Sequence, residues 1–168
     1  MGNDNIDIAE MLRQEALKKG AYCDIITNWH NPDKNMLIQK YIEGIDFCIE
    51  NNFPDNKFIK KHFDGIMQEY GIFVDEKIEL HNMPHVILNG RCRGTLHYDG
   101  YRFGKIYVRG GSKVNIEVID KAIINVEIYD NNSKVIVRNK GTKNVAVYLY
   151  GGEVECTSGV KIYDKRHV

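Results

Sequence analysis

Val114-Asn115-Ile116-Glu117-Val118 is followed, ten residues on, by Ile124-Asn125-Val126-Glu127-Ile128. In both stretches branched apolar residues alternate with polar ones, the period of a strand with one face buried. Working outward, a step of about ten residues recovers Ile106, Leu96 and Val86 on one side and Val135, Val145 and Val154 on the other. Turn signals fall between: Asn89-Gly90, Asp99-Gly100, Gly110-Gly111, Asp130-Asn131-Asn132, Gly151-Gly152 and Ser158-Gly159. The spacing predicts a repeat of one short strand and one turn with no helix between.

Two architectures satisfy that pattern. About two units can make one coil of a β-solenoid, stacking like on like. Alternatively, Asn-Gly, Asp-Gly and Gly-Gly can close the hairpins of an antiparallel β-meander. The solenoid is favoured, because the repeat persists for about eight units and its buried residues are mostly Val and Ile.

Upstream the period changes to that of helices. Ile8, Met11, Leu12, Ala16 and Leu17 recur at helical spacing before Gly20. Tyr22, Ile25, Ile26 and Trp29 mark a second segment ending at Asn31-Pro32. Asp33 is placed to cap a long helix over 34–52, and Asp55 to cap a last one closed by Gly71. The reading is therefore α+β: a small helical bundle over 1–71, then an all-β repeat over 72–168. The helices are expected to cap the first coil, and the charged 160–168 stretch to cap the other end or meet a partner.

The chain has 168 residues, 27% of them charged, with a formal net charge of zero. That zero hides an asymmetry. Residues 1–76 hold fourteen Asp/Glu against eight Lys/Arg, and 77–168 hold nine against fifteen. A basic half either meets an acidic surface or binds an anion. No apolar run is long enough to span a membrane, and the polar, acidic start is unlike a secretory leader. Gly2 follows Met1, but Ile6 stands where a myristoylation signal has Ser or Thr. Cys23, Cys48, Cys92 and Cys156 are scattered through apolar patterns, which predicts buried reduced thiols in a cytosolic protein.

Enzyme signatures are absent: no G-x-S-x-G, phosphate loop, H-E-x-x-H or dinucleotide fingerprint. Glu117 and Glu127 lie one unit apart and could pair for acid/base work on a glycan, though solvated strand carboxylates are the plainer reading. His81, His85 and His97 are three imidazoles in a short span, read as loop histidines rather than a metal site. No cofactor is implied. Trp29 and the tyrosines at helical spacing are read as core.

The strongest functional signal lies in 91–113. Arg91, Arg93, Arg102, Lys105, Arg109 and Lys113 face a single acid, Asp99, with Tyr98, Tyr101, Phe103 and Tyr107 interleaved. Guanidinium forks suit phosphate or carboxylate, and aromatic faces stack on bases. The candidate site is Arg91, Arg93, Tyr98, Tyr101, Arg102, Lys105, Tyr107 and Arg109, expected as a basic, aromatic surface on two adjacent strands. The competing reading is a solvated face, or one docked on the acidic helices.

The stretches Asp33-Lys34-Asn35-Met36-Leu37, Gly44-Ile45-Asp46-Phe47-Cys48, Gly71-Ile72-Phe73-Val74-Asp75-Glu76, Val86-Ile87-Leu88-Asn89-Gly90 and Ile106-Tyr107-Val108-Arg109 resemble a family of small uncharacterised proteins of phages and mobile elements of gut bacteria. The resemblance implies a phage-related role in the bacterial cytoplasm and carries no activity or site residue. The resulting expectation is a non-enzymatic, homo-oligomeric protein. It would bind an anionic, nucleotide-like small molecule or an acidic protein surface, with sequestration of a nucleotide immune signal as one version. A structural or assembly protein is the alternative, and a small glycan hydrolase or lyase the second.

Overall fold

A computed structural model describes residues 3–21, 29, 32–141 and 144–167. The chain divides into two compact units, Met1–Met67 and Gln68–Val168. The division falls inside a short 3-10 helix, Met67–Tyr70, rather than after Gly71.

In the first unit the described helices are α1 (Asn3–Lys18), α2 (Lys34–Glu43), α3 (Ile45–Glu50) and α4 (Asn56–Phe63). Both expected caps form. Met36 N–H donates to Asp33 Oδ1 at 2.8 Å and Phe58 N–H to Asp55 Oδ1 at 2.7 Å. The long helix expected over 34–52 is instead two, because Gly44 ends α2, its N–H donating back to Lys40 O at 3.0 Å. On α1, Ala9, Leu12 and Ala16 are buried while Met11 and Leu17 are exposed, so the buried stripe is narrower than the apolar pattern. Phe63 meets Tyr41 and Phe58 at ring separations of 6.4 and 6.0 Å, so these aromatics are core, as read. The segment expected over 21–31 lies mostly outside the described residues.

The second unit is a β-solenoid. Strands are β1 (Ile72–Val74), β2 (Lys77–His81), β3 (His85–Asn89), β4 (Arg93–Tyr98), β5 (Phe103–Val108) and β6 (Lys113–Val118). They continue as β7 (Ile123–Ile128), β8 (Lys134–Asn139), β9 (Val145–Leu149), β10 (Glu153–Cys156) and β11 (Val160–Asp164). Odd strands form one sheet, β1-β3-β5-β7-β9-β11, and even strands another, β10-β8-β6-β4-β2. Every pairing is parallel, which excludes the meander. A tight hairpin joins antiparallel neighbours only. Here each turn instead carries the chain from one sheet to the other, and a strand meets its neighbour one full coil later.

Register fixes the coil length. Leu96 pairs with Ile116 and Ile116 with Val137, steps of 20 and 21 residues. The first coil is shorter, with Leu80 against Leu96. The added residue lies in the turn between β7 and β8, around Asn131. It shifts the ten-residue count, so Val135 stacks on Val114 rather than on Ile116. Val114 and Ile116 both point inward, so the core is unaffected.

Leu88, Val108, Ile128 and Leu149 stack in one interior column, and Leu96, Ile116 and Val137 in another. Each such buried aliphatic side chain contributes roughly 1.5–3 kcal/mol. Corners are sealed by polar groups. The buried Ser112 hydroxyl bridges Gly90 O, Arg109 O and Cys92 N–H at 2.8–3.1 Å. One coil on, Ser133 Oγ accepts from Gly111 N–H at 3.2 Å. Cys48 and Cys92 are buried, but Cys156 is exposed, because its strand is the outermost of the five-stranded sheet.

Candidate functional site

Side chains alternate in and out along each strand, and consecutive strands belong to opposite sheets. The expected surface on two adjacent strands therefore does not form. Arg93 lies on β4 of the five-stranded sheet, whereas Lys105 and Tyr107 lie on β5 of the six-stranded sheet. Tyr98 points inward and is fully buried. Its hydroxyl donates to Met83 O at 2.8 Å, and burial pushes its pKa far up, so it has no face for a ligand. Tyr107 is 2% exposed, with its ring 6.4 Å from Tyr129. Arg109 is buried in the turn after β5.

Lys105 is engaged rather than available. Its ammonium lies 4.8 Å from the Tyr107 ring centre and 3.5 Å from Glu127. Burial acts to lower its pKa, but the hydrogen bond with Tyr107 and the Glu127 charge outweigh that and hold it above the ordinary lysine value. Tyr101 and Arg102 are exposed in the turn between β4 and β5. Lys121 Nζ donates to the Tyr101 hydroxyl at 2.8 Å and sits 5.1 Å from the ring centre. Glu117 and Glu127 stand on β6 and β7, hence on the outer faces of different sheets, so they form no carboxylate pair.

What the structure does assemble is a column of cations. On the outer face of the five-stranded sheet Lys77, Arg93, Lys113 and Lys134 are in direct register on β2, β4, β6 and β8. Adjacent strands are about 4.8 Å apart, so the column runs about 14 Å. Arg91 is exposed in the turn that leads into β4, its backbone N–H fixed on Asp75 Oδ1 at 2.8 Å. Arg93 is clamped by two carbonyls, Cys92 O at 2.8 Å and Gly111 O at 2.9 Å. Among the described residues no carboxylate pairs with Lys77, Arg91, Arg93 or Lys113. Lys134 is neutralised by Glu155 and by Glu153 at 3.9 Å, and the Glu155 hydrogen bond raises its pKa.

The next outward column is neutral over three strands, Thr95, Asn115 and Ile136, and acidic only at Glu79 and Glu155. Like charges directly opposite on neighbouring strands repel. A ladder of them in mid-sheet is therefore a local frustration that an anion would relieve. Of the expected site, Arg93 belongs to this column and Arg91 precedes it in the turn; Lys113 was part of the basic stretch but left out of the site, and Lys77 and Lys134 were missed. The readable signal was the coil-length step from Arg93 to Lys113.

Comparison with protein-family models, with curated proteins and with solved structures gave no match. No described helix is long and apolar enough to cross a membrane.

Proposed function

We propose that the N-terminal helices form a small bundle and that the solenoid is a non-enzymatic binding module. Its five-stranded face would hold an extended anionic ligand such as an oligonucleotide or polyphosphate chain. The observation that carries this is the run Lys77, Arg93 and Lys113 in register, none of them paired with a carboxylate among the described residues, with the exposed Arg91 two residues before Arg93 in sequence. An anion lying along the solenoid axis meets a cation at every strand of that run. Recognition is by charge, since Tyr98 and Tyr107 are not on this face. The resemblance to phage and mobile-element proteins supports the narrower version, in which a nucleotide signal of host defence is sequestered through its phosphates in the bacterial cytoplasm.

The test is fluorescence anisotropy with a labelled single-stranded oligonucleotide and, in competition, inorganic polyphosphate, across a salt series. About three phosphate contacts give a log–log salt slope near −2. Lys77→Glu with Lys113→Glu should weaken binding at least about tenfold and flatten the slope. Arg102→Glu, at the opposite corner, should leave both unchanged. Binding that ignores salt, or an equal effect of Arg102→Glu, removes the assignment.

A second reading, an assembly protein, rests on a different face. Just past β7 and β9 Tyr129 stacks on Tyr150 at 5.0 Å, and on β9 and β11 Tyr148 stacks on Tyr163 at 4.9 Å, with Tyr150 and Tyr163 exposed. Exposed aromatic patches mark protein contacts. Light scattering showing a homo-oligomer that Tyr150→Glu and Tyr163→Glu dissolve would favour it; a monomer removes it.

A further inference from the structure

Three outward side chains at one end of the five-stranded sheet remain outside that reading. β2 and β4 run parallel in register, which sets His81 beside His97 and Glu79 beside Thr95. The two imidazoles stack, 4.6 Å between centres and 11° between planes. Glu79 reaches along the sheet to hydrogen-bond His97 Nε2. One donor atom from each of Glu79, His81 and His97 lies within 4.8 Å of the others. We propose that these three residues bind a divalent transition-metal ion of the zinc type, with water completing the shell.

The donor set decides the ion class. Two imidazoles and one carboxylate suit zinc and its neighbours, whereas calcium and magnesium call for oxygen donors throughout. A tetrahedral zinc ion holds its donors about 3.4 Å apart, given metal–ligand distances near 2.1 Å. Glu79 and His81 are exposed and His97 is only partly covered, which leaves their side chains room to turn toward an ion.

The neighbouring strands supply the support such a site needs. Glu117 Oε2, on β6, lies 3.3 Å from His97 Nδ1. Arg138, on β8, holds the other oxygen of Glu117 at 3.7 Å. A carboxylate accepting from Nδ1–H fixes the tautomer that offers Nε2 as the ligand, once an ion displaces the proton shared with Glu79, the arrangement found behind metal-bound histidines. His85 plays no part, because it starts β3 on the other sheet; Glu79 takes the third place. The ion would tie β2, the edge strand of its sheet, to β4.

The experiment is calorimetric titration of untagged, chelator-stripped full-length protein with zinc chloride, alongside the visible spectrum with cobalt(II). The expected result is one saturable zinc per chain and a tetrahedral cobalt band. Both should be lost in His81→Ala and in His97→Ala and unchanged in His85→Ala. Glu117→Gln should weaken zinc about 10–100-fold without removing it. Circular dichroism confirms folding of each variant, and Glu79→Gln, which keeps the side chain's shape, gives an independent readout should a histidine variant unfold. Absence of saturable zinc binding by the wild type overturns the proposal, as does unchanged stoichiometry in His81→Ala, His97→Ala and Glu79→Gln.

Discussion

The ring of Tyr98 fills the space that a side chain at Gly104 would need. A Cβ built on Gly104 would lie 2.7 Å from Tyr98 Cε1 and 2.9 Å from Cζ. The largest inward side chain of β4 thus stands across the core from the one inward glycine of β5. Gly104→Ala should destabilise the solenoid by about 1–3 kcal/mol, the usual range for overpacking. In a Tyr98→Leu background the same change should cost clearly less, the close approach left being Ile124 Cδ1 at 3.0 Å. Urea unfolding of the four proteins measures the coupling, and additive effects would show that the two residues do not compete for space.

Ser112 holds a corner together from inside. Its hydroxyl accepts from the Cys92 N–H and donates toward Gly90 O and Arg109 O, all in a fully buried setting. Ser112→Ala leaves that N–H without a partner and should lower stability by about 1–3 kcal/mol. Ser112→Cys, which keeps a weak acceptor, should fall between. Chemical denaturation provides the measurement; a loss under a few tenths of a kcal/mol would mean that the corner is held by its backbone alone.

Acid should weaken the fold through His85. Burial, then the nearby Lys105 charge, lowers its pKa below the ordinary 6.5. Below about pH 6.5 the unfolded chain takes up a proton that the folded one refuses, so stability falls with pH and levels off below the folded-state pKa. His62 is lowered in the same direction, by burial and by Lys61 and Lys34. Melting temperature should therefore drop between about pH 7.5 and about pH 5.5, and the drop should shrink in His85→Gln. An unaltered drop in that variant would assign the effect elsewhere.

Thiol reactivity should separate the cysteines. Burial pushes the Cys92 thiol up in pKa and out of reach, and Cys48 is also buried, while Cys156 is exposed. In a Cys23→Ser protein one thiol should react quickly with a disulfide reagent, and adding Cys156→Ser should remove that phase. The remaining two should react only on unfolding. A fast phase surviving both substitutions would mean that the solenoid core opens readily.

The solenoid was legible because its signal is local. Val114 to Val118 and Ile124 to Ile128 announce strands by alternation, and the turn residues announce the spacing. Which residues share a surface was not legible, because that depends on pairing across a whole coil. Arg93 and Lys105 are close in sequence but occupy opposite faces, whereas Arg93 and Lys113 are ladder partners. His81 and His97 meet only because the first coil is shorter than the next, a length that no local pattern reveals. Tyr98 was misread because an aromatic beside arginines looks like a ligand platform, while its parity within β4 already placed it inside with Leu96.

The pitch between Lys77, Arg93, Lys113 and Lys134 is set by backbone hydrogen bonds, not by the side chains themselves. The outer face is thus a ruled page: any four residues written at those positions are spaced like the rungs beneath them. Rewriting the column as carboxylates, aromatics or thiols would change what the molecule touches while the stacked Val, Leu and Ile columns inside go on holding the lines.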